Sequence, residues 1–206
     1  MLAGTINKKR AHQKGNEPTR YGIMTDLQQE IELVHRIADK NEHALREIYA
    51  VYGQRLYAYA LRLTSDHDQA EDVVQDALVA IWHSAKRFRG EGRLLAWLLG
   101  IVHHTAMKSL RRRSNPITDQ IETSLPDTGP LPEQRVQAKE QSAWIQTGLQ
   151  KLSPEHRAVL ELVFYQGLSL KETAQVCDCP VGTVKSRLSY ARRQLRGVLS
   201  RTEEIR

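Results

Sequence analysis

The sequence has few of the residues that staple or stiffen a small protein. Among its 206 residues are only two cysteines, Cys177 and Cys179, two positions apart. That excludes a disulfide framework, and a structural zinc site would lack its second pair of sulfur ligands, so both thiols read as structural. Aromatic residues make up 6% of the chain, with two phenylalanines, which leaves the core to aliphatic side chains. The longest apolar-rich run, residues 94–102, falls far short of the roughly 20 residues a membrane-spanning helix needs. The amino terminus is basic but has no apolar signal-peptide core, so the expectation is a cytoplasmic chain without membrane insertion. No alternation of period two persists for any length, which excludes a sheet and predicts an all-α fold.

What the chain does have is unevenly placed charge. Thirty Lys and Arg against 24 Asp and Glu give a net charge of +6, with a pI near 9.4, and this excess favours an anionic partner. The basic residues gather in the first 20 positions, between Lys86 and Arg113, and between Lys185 and Arg201, where no acidic residue intervenes. Residues 65–85 are the opposite: Asp66, Asp68, Glu71, Asp72 and Asp76 occur with no Lys or Arg. A nucleic acid would avoid that surface.

Helical periodicity organises the rest. Residues 1–24 lack a pattern and read as a disordered basic tail, with Met24 a candidate native start. Thr25 and Gln28 are spaced as a capping box, and Leu27, Ile31, Val34 and Ala38 form a stripe behind them. A second helix follows through Leu45, Ile48, Tyr49, Tyr52, Leu56, Tyr59, Ala60 and Leu63, and Ser65 is placed to cap a third. That third helix buries Ala70, Val73, Val74, Ala77, Leu78, Ile81 and Trp82 and leaves Glu71, Asp72, Gln75 and Asp76 outside. After a loop at Phe88–Gly90 a fourth helix starts near Arg93, apolar in its first half and basic in its second, with Trp97 expected in the core.

Residues 114–132 hold four of the seven prolines and read as a flexible linker between a first domain, 25–113, and a second, 133–200. In the second domain helices are expected at 133–151, at 154–166 with Ser153 as cap and Pro154 in the first turn, and at 170–177 with a Ser169/Glu172 capping box. A tight turn at Asp178 and Cys179 leads into a last helix. There Val184, Leu188, Ala191, Leu195 and Val198 face inward, and Thr183, Lys185, Ser186, Arg187, Tyr190 and Arg193 face out. Two helices joined this way form a helix-turn-helix whose second member fits the major groove of B-DNA.

Five blocks carry a resemblance: AEDVVQDALVAIW at 70–82, FRG at 88–90, AWLLGIVHHTAMKSLRRR at 96–113, LSPEHRAVLELVFYQGLSLKETA at 152–174 and CPVGTVKSRL at 179–188. In order and spacing, over residues 25–200, the chain resembles extracytoplasmic-function sigma factors. The resemblance implies two helical domains that bind bacterial core RNA polymerase and direct it to promoter DNA, with no catalysis, cofactor, metal or small-molecule substrate. It also implies an anti-sigma partner. The polymerase would meet Glu71, Asp72, Gln75 and Asp76. The minus-10 element would be met by Lys86, Arg87, Phe88, Arg89, Glu91, His104, Lys108, Arg111 and Arg112, and the minus-35 element by Thr183, Lys185, Ser186, Arg187, Ser189, Tyr190 and Arg193. For Phe88 a place in the core and a base contact remain equal alternatives. The family usually has Asn at the place of His104 and often an acidic or amide residue at that of Lys108, so the minus-10 preference does not carry over. His103 or His104 could simply hydrogen-bond within the bundle. The alternative function is a helix-turn-helix regulator that acts without polymerase. A metal enzyme built on His67, Glu71 and Asp72 lacks a third ligand and any nucleophile motif.

Overall fold

Two short polar side chains set where the central helices begin. Helix α2, Glu42–Thr64, starts from Asn41, whose side-chain oxygen accepts from the backbone N–H of His43 at 2.9 Å and Ala44 at 3.2 Å. Helix α3, His67–Ser84, starts from Asp66, which accepts from the N–H of Gln69 at 3.0 Å. Each cap satisfies donors that the first turn cannot pair internally. Ser65 is not the cap of α3. It closes α2 instead, in the left-handed conformation at φ 59°, with its N–H on Leu61 O.

The computed structural model describes residues 20–114, 149 and 151–203, with side chains described for 27–113, 149 and 151–197. The expected tail up to residue 19, the linker from 115 onward and all of the helix at 133–151 except Leu149 and Lys151 lie outside the described residues, as does the side chain of Val198. Helix α1 spans Arg20–Ala38, so it begins five residues before Thr25 and the Thr25/Gln28 capping box does not start it. Gly22 aside, nothing from Arg20 to Met24 opposes a helix, and a turn once formed propagates cheaply. Leu27 is 42% exposed, and Ile37 takes the buried place beside Val34. Tyr49, expected in the stripe of α2, is exposed and lies over Gly53.

Helix α4 spans Leu94–Ser114 and packs with α2 and α3. Their shared core holds Ile48, Leu56, Tyr59, Leu63, Val73, Ala77, Ile81, Leu94, Leu98, Leu99 and Val102. Full burial of each large aliphatic side chain contributes roughly 1.5–3 kcal/mol, which makes this stripe the main stabilising feature of the first half.

The second half is a smaller bundle. Helix α5, Pro154–Leu160, runs into a π-helical turn, Glu161–Tyr165, in which the N–H of Gln166 reaches Glu161 O at 2.9 Å. The expected helix over 154–166 therefore changes pitch after Leu160. Ser153 stands at its cap position without a cap bond, because its hydroxyl lies 2.7 Å from His156 Nδ1. Helix α6, Leu170–Val176, has the expected reciprocal box: Glu172 N–H to Ser169 Oγ at 3.2 Å, and Ser169 N–H to the Glu172 carboxylate at 2.8 Å. Asp178, at φ 47°, makes the turn into α7, Val181–Glu203. Val184, Leu188 and Ala191 of α7 are buried against Leu152, Val159 and Ala174, with Leu195 partly buried beside them.

Among the described residues the architecture is helical throughout, in two bundles, as expected. The bundles are not separate, however. Ala158, Leu162, Leu168 and Val176 of the second half are buried in the core of the first, and α6 crosses α4 so closely at Gly100 that an added Cβ would lie 3.9 Å from Val176 Cα.

Candidate functional site

Three faces carry the residues singled out from the sequence. The first is the outer side of α3. Glu71, Asp72, Gln75 and Asp76 are all exposed, since the three-and-four spacing that buries Val73, Val74 and Ala77 turns them outward. None of the four takes part in an ion pair among the described residues. Val79, 56% exposed, continues the same side. The face is thus anionic, unneutralised and apolar at one end, a composition that suits a basic partner with an apolar contact of its own.

The second face spans the turn after α3 and the last half of α4. Lys86 and Arg87 lie exposed in a 3-10 turn, Ala85–Arg87, and Arg89 and Glu91 follow, also exposed. Gly90 and Gly92 take φ of 69° and 85°, and a Cβ on Gly90 would sit 3.0 Å from Ile31 Cδ1. The positive φ favours glycine at position 90, and a Cβ there would press on the end of the Ile31 side chain. Phe88 is only 9% exposed and its ring centroid is 5.0 Å from that of Trp97. Phe88 thus packs in the core, the first of its two alternatives, with its ring against Trp97. Trp97 itself is partly buried against the core, as expected.

On α4, His104, Lys108, Arg111 and Arg112 are exposed and follow one another at four, three and one residues, so they share a side of the helix. Arg113 is turned away from them. Its Nη1 is 3.5 Å from Asp66 Oδ2, and with the amide of Gln69 oriented to present its oxygen, that oxygen accepts from Arg113 Nε at 2.7 Å. His103 faces inward, 6% exposed, with Nδ1 2.8 Å from the hydroxyl of the fully buried Tyr59. Burial, assisted by the neighbouring His104 and Arg187, pushes its pKa down to about 4. His103 is therefore a neutral, internal hydrogen-bonding group at physiological pH.

The third face is the outside of α7. Lys185, Ser186, Ser189, Tyr190 and Arg193 are exposed, while Thr183 and Arg187 are half-buried. Arg187 Nη1 lies 3.9 Å from Cys179 Sγ, which leans the guanidinium toward the turn. Tyr190 is fixed from two sides, by the His156 ring at 4.4 Å and by the Arg193 guanidinium at 5.6 Å. That pre-orders an aromatic and a cation at the surface. Ser186 Oγ donates to Thr183 O at 2.9 Å and so is partly engaged within the helix.

Sequence reasoning missed two features. Beside α7 runs a groove of about 560 Å³ floored by Val163, Leu170 and Leu188 and edged by Lys185, Arg192 and Arg193; Arg192 stacks over the exposed Phe164 at 5.0 Å. The only trace of it in the sequence is the VFY run at 163–165, which reads as core. The second is a set of arginines, Arg55, Arg62, Arg93 and Arg157, that join the two bundles; on a helix pattern they look like ordinary solvated positions. His67, considered as a metal ligand, has Nδ1 2.8 Å from the Tyr57 hydroxyl, and no three His, Cys, Asp or Glu side chains converge among the described residues.

Residues 48–115 match the family model for Sigma-70 region 2, and residues 148–197 match that for Sigma-70, region 4. Over 155 residues the chain is 36% identical to ECF RNA polymerase sigma factor SigL of Mycobacterium tuberculosis, covering 74% of this chain and 86% of that protein. It is 29% identical over 168 residues to RNA polymerase sigma factor YlaC of Bacillus subtilis, covering 80% and 97%. Among solved structures it is similar to the sigma factor RpoE of Bartonella quintana in complex with the anti-sigma factor NepR, at 28% identity and a TM-score of 0.57, covering 75% and 96% of the two chains. It is also similar to CnrH in complex with the cytosolic domain of CnrY, at 25% identity and a TM-score of 0.61, covering 83% and 97%.

Proposed function

Because the chain belongs to the extracytoplasmic-function RNA polymerase sigma factors, we propose that its three exposed faces divide the work of promoter-directed initiation. Residues 25–113 bind bacterial core RNA polymerase and the minus-10 element, and residues 133–200 bind the minus-35 element. The polymerase meets Glu71, Asp72, Gln75 and Asp76 on α3. Lys86, Arg87, Arg89, Glu91, His104, Lys108, Arg111 and Arg112 meet the minus-10 DNA. Thr183, Lys185, Ser186, Arg187, Ser189, Tyr190 and Arg193 meet the minus-35 duplex.

One observation carries this division: an anionic helix face without ion pairs among the described residues stands apart from two exposed cationic faces on the same molecule. DNA alone accounts for the cationic faces through phosphate contacts and base-edge readout. It does not account for the anionic one, which calls for a protein partner. Melting the minus-10 element without nucleotide hydrolysis requires capture of unpaired bases, which offsets the few kcal/mol lost on unstacking each. The exposed loop at 89–92 and the basic side of α4 are the surfaces placed to do so. The chain itself performs no reaction and acts in the cytoplasm, where polymerase and promoters are. The relative solved in complex with the anti-sigma factor NepR supports control of this chain by a partner of that kind.

Run-off transcription with core polymerase on a pool of genomic promoters tests the proposal. The chain is expected to start transcription at a defined subset of them. The Asp72→Lys/Asp76→Lys variant is expected to stay folded, since both side chains are exposed, and to lose at least tenfold in polymerase affinity. If the unaltered chain starts no RNA, or binds a palindromic duplex tightly without polymerase, the reading falls.

A further inference from the structure

Ser153 departs from the local rule for its position. It stands before Pro154 at the start of α5 in extended backbone, φ −62° and ψ 156°, the geometry of a helix cap. Its hydroxyl makes no cap bond, however, and lies 2.7 Å from Nδ1 of His156. The same residue type does cap α6, through Ser169. The first turn of α5 thus forgoes a local hydrogen bond and gains an oriented histidine ring. Departures of this kind gather where a side chain's placement serves function rather than the helix end.

The oriented ring bears on Tyr190. His156 is half-buried, α5 and α7 pack directly, and the two ring centroids lie 4.4 Å apart with their planes inclined at 37°. From α7 itself the Arg193 guanidinium stands 5.6 Å from the Tyr190 centroid. A tyrosine alone on a helix surface turns among rotamers, whereas Tyr190, although 39% exposed, is held between an imidazole and a cation. Burial lowers the His156 pKa below the ordinary 6.5, and the Arg187 guanidinium lowers it further against an opposing pull from Glu155. The ring is therefore neutral at physiological pH and offers phosphates no charge. What it supplies is placement.

We infer that His156, outside the helix that reads DNA, helps to set base preference in the minus-35 element by fixing the pose of the Tyr190 ring; the inference rests on the reading above that α7 meets that duplex. A tyrosine on a major-groove helix meets a thymine methyl with its ring and base edges with its hydroxyl. Both contacts depend on where the ring points. Holding the ring before binding removes the cost of ordering it on the DNA, and holding it in one pose narrows the set of bases it can meet. Tyr190 is the contact, and His156, oriented by Ser153, is a positioning residue.

A promoter selection tests the inference. Core polymerase loaded with the full chain transcribes a library randomised across the minus-35 element, and sequencing the transcribed templates gives each variant's base preference. Tyr190→Ala identifies the base pair that the ring reads. At that pair His156→Ala is expected to reduce discrimination about two- to tenfold, the effect of losing one aromatic pair, with the other pairs unchanged. His156→Phe, which keeps a ring against Tyr190, is expected to restore the preference, and Ser153→Ala to fall between. In the Tyr190→Ala background His156→Ala should add nothing. An unaltered preference in His156→Ala, a loss spread evenly over all pairs, or a further loss in the Tyr190→Ala background overturns the inference. Independently, fluorine NMR of the fluorotyrosine-labelled chain reports on the ring: the Tyr190 line, identified by its loss in Tyr190→Phe, is expected to move in His156→Ala, and an unmoved line also overturns it. If the unaltered chain selects no minus-35 sequence, the promoter reading fails, and the fluorine line still decides whether His156 holds Tyr190.

Discussion

Arg193 and Lys185 are both exposed cations on one helix, yet their neighbours set them apart. Arg193 rests against the Tyr190 ring, a posture suited to following a phosphate backbone, whereas Lys185 stands at the amino-terminal end of α7, from which a recognition helix reaches base edges. Arg193→Ala is expected to weaken binding to all duplexes alike and to lower the salt slope by about 1, while Lys185→Ala shifts base preference at one position. A binding selection over randomised duplexes at two salt concentrations distinguishes them, and equal shifts in preference would defeat the division. His103 makes a different prediction. Its folded-state pKa, about 4, lies below the usual 6.5, so between those values the unfolded chain binds the extra proton. Its contribution to stability is then complete above pH 6.5 and disappears as pH falls toward 4. Urea midpoints measured across that window should rise with pH, and His103→Gln, which keeps an acceptor for Tyr59, should flatten the rise.

At the scale of elements, caps and stripes explain most of what forms. Asn41→Ala removes the acceptor for two N–H groups of α2 and is expected to cost about 1 kcal/mol, read as a lower urea midpoint with an unchanged slope. The apolar stripes of α3 and α7 were legible in the sequence because burial follows a fixed helical period, and the outward residues follow once the inward ones are placed. The Ser169/Glu172 box was legible for the same local reason. Less legible were ends where two local solutions compete. Ser65 and Asp66 are adjacent capable caps, and only the left-handed turn at Ser65 assigns the role to Asp66. Phe88 was ambiguous because an aromatic in a basic loop suits stacking on a base as well as packing on Trp97.

For the whole molecule, the shared core is the decisive feature. Leu162 is fully buried, and it sits in the first core while belonging to the second bundle. Leu162→Ala is expected to cost about 2–5 kcal/mol and to lower the thermal midpoint of both halves together in calorimetry. Loss confined to the second half would mean that the seam is not a structural contact in solution.

The order of the described helices, the inward stripes of α3 and α7, the three charged faces and the helix-turn-helix were legible in the amino-acid sequence, because each is decided within a few residues by backbone geometry and the burial of near neighbours. The seating of one bundle on the other, the partnering of Arg55, Arg93 and Arg157 with groups 111, 74 and 92 to 95 positions away, the retreat of Phe88 and His103 from the surface and the turning of Arg113 toward Asp66 belong to the tertiary structure. A side chain's distant neighbours leave no periodic trace in its own segment. The same arginine reads as solvated or as DNA-binding until the chain has brought its acceptor to it.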